Sequence, residues 1–139
     1  YVTADTALGR LGLAVCYDLR FPEQFRALVD QGMELQALPA AFTATTGLAH
    51  WETLLRARAI ENQCYVLASA QGGKHANGRE TYGDSLIIDP WGEILARLPQ
   101  GPGVVLAEFS RERLENVRRQ FPALQHRVRP FADFTEGAV

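Results

Sequence analysis

Gly12–Leu13–Ala14–Val15–Cys16–Tyr17–Asp18–Leu19–Arg20–Phe21–Pro22–Glu23 reads as a buried strand that stops at a cysteine and turns into a helix. Leu11, Leu13, Ala14 and Val15 form a short apolar run bordered by glycine, which predicts a strand over Leu11–Cys16. Pro22 suits the first turn of a helix, where its missing N–H costs nothing. Phe21, Phe25, Leu28 and Val29 recur at helical spacing and Gly32 supplies a stop, so the helix is expected over Pro22–Gln31. Cys16 then stands at the carboxyl end of a strand, the edge at which open α/β sheets bind ligands. A thiol there has two readings. One is a small buried hydrophobe. The other is a nucleophile whose thiolate is favoured by nearby positive charge. The polar pair Asp18 and Arg20 directly after it favours a site over a core.

Outward from this stretch the pattern alternates. Residues 2–7 are mixed and small, an edge strand or lead-in. Glu34–Pro39 predicts a strand parallel to the first, completing a βαβ unit. Phe42–Gly47 is a threonine-rich loop. A second helix is expected from Leu48 to Gln63, with Leu48, Trp51, Leu55 and Ala59 on one face. Tyr65–Ser69 reads as a strand and Gly72–Thr81 as a polar loop broken by glycines. Ser85–Asp89 and Glu93–Leu98 read as strands joined by a turn at Pro90–Trp91–Gly92, and Val104–Phe109 as a further strand. Ser110 is an N-cap for a helix striped by Leu114, Val117 and Phe121, which Pro122 ends. The order βαβαβ, then a hairpin, a strand and a helix predicts an α/β layered domain.

The totals narrow the function. With 139 residues, 47% of them hydrophobic and 22% charged, the chain is of ordinary globular composition. A net charge of −2 gives no basic footprint for nucleic acid, and no apolar run approaches a membrane span. No signal-peptide pattern opens the chain. Cys16 and Cys64 do not form a disulfide framework, which fits a reducing, cytoplasmic location. His50, His75 and His126 show no metal-ligand spacing with one another or with cysteines and acids, so no metal is expected and these histidines are assigned structural roles. Arg56, Arg58 and Glu61 read as an ion-paired helix surface or a subunit interface, and Lys74 as a loop residue.

The run Gly12-x-x-x-Cys16-Tyr17-Asp18-x-Arg20-Phe21-Pro22-Glu23 resembles the nucleophile motif of the nitrilase superfamily of carbon–nitrogen hydrolases. Further stretches agree in order: Pro39–Ala40–Ala41–Phe42 with Thr46–Gly47, His50–Trp51–Glu52, Arg56 through Gln63, Tyr82–Gly83–Asp84–Ser85, Asp89–Pro90–Trp91–Gly92 and Gly101–Pro102–Gly103. The likeness runs from about Leu8 to Pro130. The segment from His50 to Gln63 and the ending Phe121 to Arg127 look most like the deaminated glutathione amidase branch, with the ω-amidases close behind; Asp84 stands where that branch often carries a histidine.

The resemblance implies an αββα sandwich that pairs through its helical layers into a homodimer or higher oligomer. It implies Cys16 as nucleophile, a thioester intermediate and the backbone N–H of Tyr17 as an oxyanion donor, with no metal or organic cofactor. It also implies a catalytic Glu and Lys that both precede the cysteine; residues 1–15 contain neither. The chain is therefore expected to hold the C-terminal half of the domain, with residues 1–121 as an incomplete carbon–nitrogen hydrolase domain and 122–139 as an arm or tail. The implied substrate is a small ω-amide, deaminated glutathione or a similar α-keto acid amide. Arg20 is either the fork that binds its carboxylate or a solvated partner of Asp18 or Glu23. Phe42, Thr45 and Thr46 follow a strand end and either line the same pocket or pack as a loop on the core. Alternatives are an ω-amidase, a carbamoylase, or a non-catalytic segment that serves as an interaction module. With half of a sandwich expected to be missing, Leu13, Val15, Leu35, Val66, Leu86 and Ile88 are the candidates for an uncovered inner face.

Overall fold

Three parallel strands at the centre of one sheet set the frame in the computed structural model, which describes residues 1–128. These are β2 (Gly9–Leu13), β3 (Leu35–Ala40) and β4 (Tyr65–Ala70), with Leu11, Leu35 and Tyr65 in register. β1 (Val2–Thr6) adds antiparallel to β2 at one edge. On the other side follow β7 (Ser85–Ile88) and β8 (Ile94–Leu98), also antiparallel, giving the order β1-β2-β3-β4-β7-β8. A separate short hairpin, β5 (Gly72–Lys74) with β6 (Glu80–Tyr82), stands over the carboxyl end of the sheet. The α/β class expected from the alternating pattern is what the chain adopts.

One sheet face is covered by α1 (Pro22–Asp30) and α2 (Ala44–Asn62). There Leu38, Val66, Leu86 and Ile88 pack with Phe25, Leu28, Trp51 and Leu55, all essentially fully buried. Each such side chain contributes about 1.5–3 kcal/mol by leaving water. The opposite face is covered only at the start of β3 and β4, where Leu35 and Tyr65 meet Leu114 of α3 (Arg111–Gln120) with Leu11, Leu67 and Phe109 around them. Beyond that it opens into an apolar groove of about 460 Å³ lined by Ala37, Leu67, Ile87, Leu98 and Val104 among others.

This corrects the expected uncovered face. Val66, Leu86 and Ile88 lie under the helices and Leu35 lies under α3, while Leu13 and Val15 are exposed. Side chains alternate between faces with period two, so a one-residue error in parity moves a strand's whole apolar set to the wrong side. Leu13 aligns with Ala37, Ala37 with Leu67 and Leu67 with Ile87; that row is the open one.

Several boundaries also differ. The strand expected to reach Cys16 ends at Leu13, although the Ala14 N–H still donates to the Ala37 carbonyl at 3.1 Å. The Val15 N–H turns instead to Asp18 Oδ2 at 2.8 Å, and a 3₁₀ turn begins at Cys16. α2 starts at Ala44 rather than Leu48, because the Thr43 side chain caps it by accepting from the Thr46 N–H. Leu48 is 77% exposed and leaves the buried face to Trp51, Leu55 and Ala59. The glycine-broken stretch 72–81 is the β5–β6 hairpin, not a loop.

Residues 104–109 form no strand: Val104 and Leu106 are 83% and 84% exposed, and no ladder pairs them. Apolar alternation there had no neighbouring strand to complete it. Phe121 follows the last turn of α3 and is exposed, so the buried stripe is Leu114 and Val117 alone. Arg58 is not on a surface. It is buried and paired to Glu61 at 2.8 Å, while Arg56 reaches the Gly92 carbonyl. Of the arm expected over 122–139, residues 123–126 form a second 3₁₀ turn, and residues 129–139 lie outside the described residues.

Candidate active site

The 3₁₀ turn Cys16–Arg20 carries the candidate nucleophile, and its shape follows from two short-range contacts. Asp18 accepts from the Val15 N–H through its carboxylate, while its own N–H donates to the Val15 carbonyl at 3.0 Å. The reciprocal pair closes the chain tightly on itself, as a capping box does. Cys16 is left at φ +47°, in the left-handed region that a side-chain-bearing residue enters at a cost of order 1–3 kcal/mol. Such strain at the junction of strand and helix lifts a nucleophile clear of the sheet, the device used by strand-to-helix nucleophile turns elsewhere.

The turn is held from below by α2. Arg58 donates Nε and Nη2 to the Leu19 carbonyl at 3.1 and 2.7 Å, and its guanidinium lies 5.1 Å from the Phe25 ring centre. Leu19 itself is fully buried.

Cys16 lines a pocket of about 200 Å³ between this turn, the start of α2 and the β5–β6 hairpin. Tyr17, Arg20, Phe42 and Thr46 line it as well. Thr45 is exposed on the first turn of α2 and is not part of the lining. The structure adds Thr43 and Arg79, which sequence reading did not single out. Thr43 carried a usable signal, a threonine just ahead of a helix. Arg79 carried none, because only the hairpin brings it across to the Cys16 turn.

Arg20 takes neither Asp18 nor Glu23 as partner. Its guanidinium stands over the Phe42 ring at 4.9 Å and the Tyr17 ring at 5.4 Å, with Nη1 3.3 Å from His50 Nδ1. Aromatic faces hold a cation without neutralising it, so the fork stays available for an anion. Phe42 does both things the sequence left open: it lines the pocket and packs at 5.0 Å against Trp51. Arg79 is aimed by one hydrogen bond, from Nη2 to the Ala41 carbonyl at 2.9 Å.

The remaining singled-out residues stand apart. Cys64 is fully buried, and burial pushes its thiol up to about 12, so it is inert near neutrality. Asp84 is a buried structural acid gripped by Arg97 through both carboxylate oxygens at 2.7 and 2.8 Å, while its carbonyl accepts from Trp51 Nε1. Asp89 closes the turn before β8 by accepting from the N–H groups of Trp91 and Glu93. His75 bonds Thr81 in the hairpin. Among the described residues no group of three or more His, Cys, Asp or Glu is arranged to hold a metal, and no helix is long and apolar enough to cross a membrane.

Comparison with known proteins agrees with this architecture. The carbon-nitrogen hydrolase family matches residues 1–119. A deaminated glutathione amidase of Synechocystis sp. is 56% identical over 122 residues, covering 88% of this chain and 45% of that protein. The Bos taurus deaminated glutathione amidase is 53% identical over 123 residues, covering 88% of this chain and 38% of that one. Among solved structures, the NitFhit protein of C. elegans superposes with a TM-score of 0.89 at 48% identity, over 92% of this chain and 31% of that chain. The chain thus spans less than half the length of these relatives.

Proposed function

The chain belongs to the carbon-nitrogen hydrolase family, and on that premise we propose that it carries the nucleophile and acyl-binding portion of an amidase acting on a small ω-amide of an α-keto acid, deaminated glutathione being the representative substrate. The observation that carries this reading is the pairing of Cys16, strained on its turn, with an Arg20 fork that no carboxylate occupies among the described residues. The similarity to deaminated glutathione amidases supports the substrate class.

The Cys16 thiolate attacks the amide carbonyl carbon, a C–S bond forms, and the carbonyl electron pair moves onto oxygen. The Tyr17 backbone N–H is one donor to that oxyanion. One such donor is worth roughly 10²–10³ in rate. The tetrahedral adduct then collapses, the C–N bond breaks, and the amine leaves with a proton. Water attacks the thioester, releases the acid and restores the thiol. The general base and a second oxyanion donor are the Glu and Lys that the family resemblance puts ahead of the cysteine, so turnover belongs to the complete domain. Residues 1–121 are its carboxyl-terminal half in this reading, with the apolar groove over Ala37, Leu67 and Ile87 as the ground on which the remaining sheet packs. The same reading carries a homodimer or higher oligomer. It also carries a cytoplasmic location, where a free thiol such as Cys16 stays reduced.

The test is Cys16→Ala in the full-length protein, assayed on an ω-amide of an α-keto acid, together with mass spectrometry of the quenched wild-type reaction. Loss of turnover with retained fold, and an acyl adduct on the peptide containing Cys16, are expected. Substantial hydrolysis by the Ala variant would end the proposal.

A further inference from the structure

We propose that Arg79 is a second anion-binding fork of the Cys16 pocket, reading a carboxylate on the leaving-amine side of the scissile amide. The pocket is then selective for ω-amides that carry a carboxylate on each side of the bond. This inference rests on the amidase reading above and extends it to the leaving group.

The pocket has two walls. The 3₁₀ turn supplies Cys16 and Arg20; the β5–β6 hairpin supplies Arg79. No Asp or Glu lines it. That contrasts with arginines in structural roles nearby, each of which meets a carboxylate: Arg97 with Asp84, Arg113 with Asp89, Arg111 with Glu34. Neither Arg20 nor Arg79 has such a partner among the described residues. Their contacts position them without neutralising them. Arg20 rests on two aromatic faces, and Arg79 spends a single N–H of its five on the Ala41 carbonyl. The Thr43 and Thr46 hydroxyls, 2.8 Å apart at the pocket wall, add polar groups and no charge.

An α-keto acid acyl group brings one carboxylate and occupies one fork. If ammonia were the leaving group, the second cation would face no charge on the substrate. An amine ending in a carboxylate, such as a short peptide, gives it a partner. The nucleophile lies in the same pocket as both forks, so a substrate held at both ends is stretched across Cys16 with its amide carbonyl at the sulfur.

The experiment uses the full-length protein and a matched pair of N-substituted ω-amides of an α-keto acid. In one, the leaving amine ends in a carboxylate; in the other, in a carboxamide. The wild type is expected to prefer the carboxylate form by about ten-fold to a hundred-fold in kcat/KM, mainly through KM. Arg79→Gln should bring that preference close to unity, and Arg79→Lys, a point charge without the fork, should keep an intermediate preference. A preference unmoved by Arg79→Gln, or an equal loss on both amides, would overturn the second fork while leaving the amidase reading in place. A wild type that cleaves neither amide would overturn the amidase reading and this inference together.

Discussion

Arg58, in the middle of the long helix α2, donates two hydrogen bonds to the carbonyl of Leu19, three residues beyond the candidate nucleophile. The guanidinium is almost completely buried, and its third contact is the Glu61 carboxylate at 2.8 Å. The Cys16 turn is thereby fastened to the helix layer through one side chain.

Removing that side chain should be expensive. Arg58→Met strands the Leu19 carbonyl and leaves Glu61 without its cation, a loss on the order of 3 kcal/mol in unfolding free energy. Arg58→Lys restores the charge with fewer directed donors and should recover part of it. Urea unfolding of the two variants measures both; a change under 1 kcal/mol for Arg58→Met, on the scale of ordinary surface substitutions (roughly 0.5 kcal/mol), would show that the turn holds itself.

The two thiols should differ sharply in reactivity. Cys16 is partly exposed in its pocket and Cys64 is sealed in the core. Iodoacetamide at mildly alkaline pH should label Cys16 and spare Cys64 until the protein unfolds, as peptide mapping will show. Burial holds the Cys64 thiol near 12 against an ordinary 9.0. Between those values the unfolded chain releases the proton and the folded one keeps it, so stability falls as pH rises through that window. Cys64→Ala should lessen this alkaline slope relative to the wild type; an unchanged slope would place its origin in other groups.

Gly47 allows the first turn of α2 to lie directly against Tyr82 of the hairpin, and a Cβ there would collide with the tyrosine side chain. Gly47→Ala is expected to destabilise by about 1–3 kcal/mol despite the higher helix propensity of alanine. Because Thr46 and the hairpin both border the pocket, catalytic efficiency of the full-length enzyme should fall with it. A stabilised Gly47→Ala variant, seen as a raised Tm, would contradict the close packing.

Arg20 should discriminate charge on the acyl side. Losing its fork is expected to cost on the order of 1.5–3 kcal/mol in transition-state binding for an anionic substrate. Arg20→Lys should recover little of this, since an ammonium reproduces neither the bidentate geometry nor the stacking over Phe42. Comparison of kcat/KM for an α-keto acid amide and a neutral amide provides the measurement. Equal losses on the two would assign Arg20 to structure.

What the sequence determined by itself is the class of fold and the position of the chemistry along the chain. Apolar runs of strand length around Leu13, Leu38 and Val66, separated by helix-length segments with Pro22 and Gly32 as start and stop, dictate parallel strands with crossover helices, because local periodicity is a property of neighbouring residues. The motif from Gly12 to Glu23 likewise contained its own turn, since Asp18 closes it on Val15 within three residues. Tertiary structure decided what no neighbouring residue encodes. Which parity of each strand meets the helices depends on register between strands distant in sequence, so Val66 and Leu86 went under the helices and Ala37 and Leu67 to the open face. Arg79 reached the Cys16 pocket only because the hairpin folds back over the start of α2, with the Tyr82 N–H donating to the Phe42 carbonyl at 2.9 Å. Arg58 likewise looked like a helix-surface charge until α2 packed on the turn and buried it: its sequence neighbours are unchanged by folding, but its solvent and its partners are not.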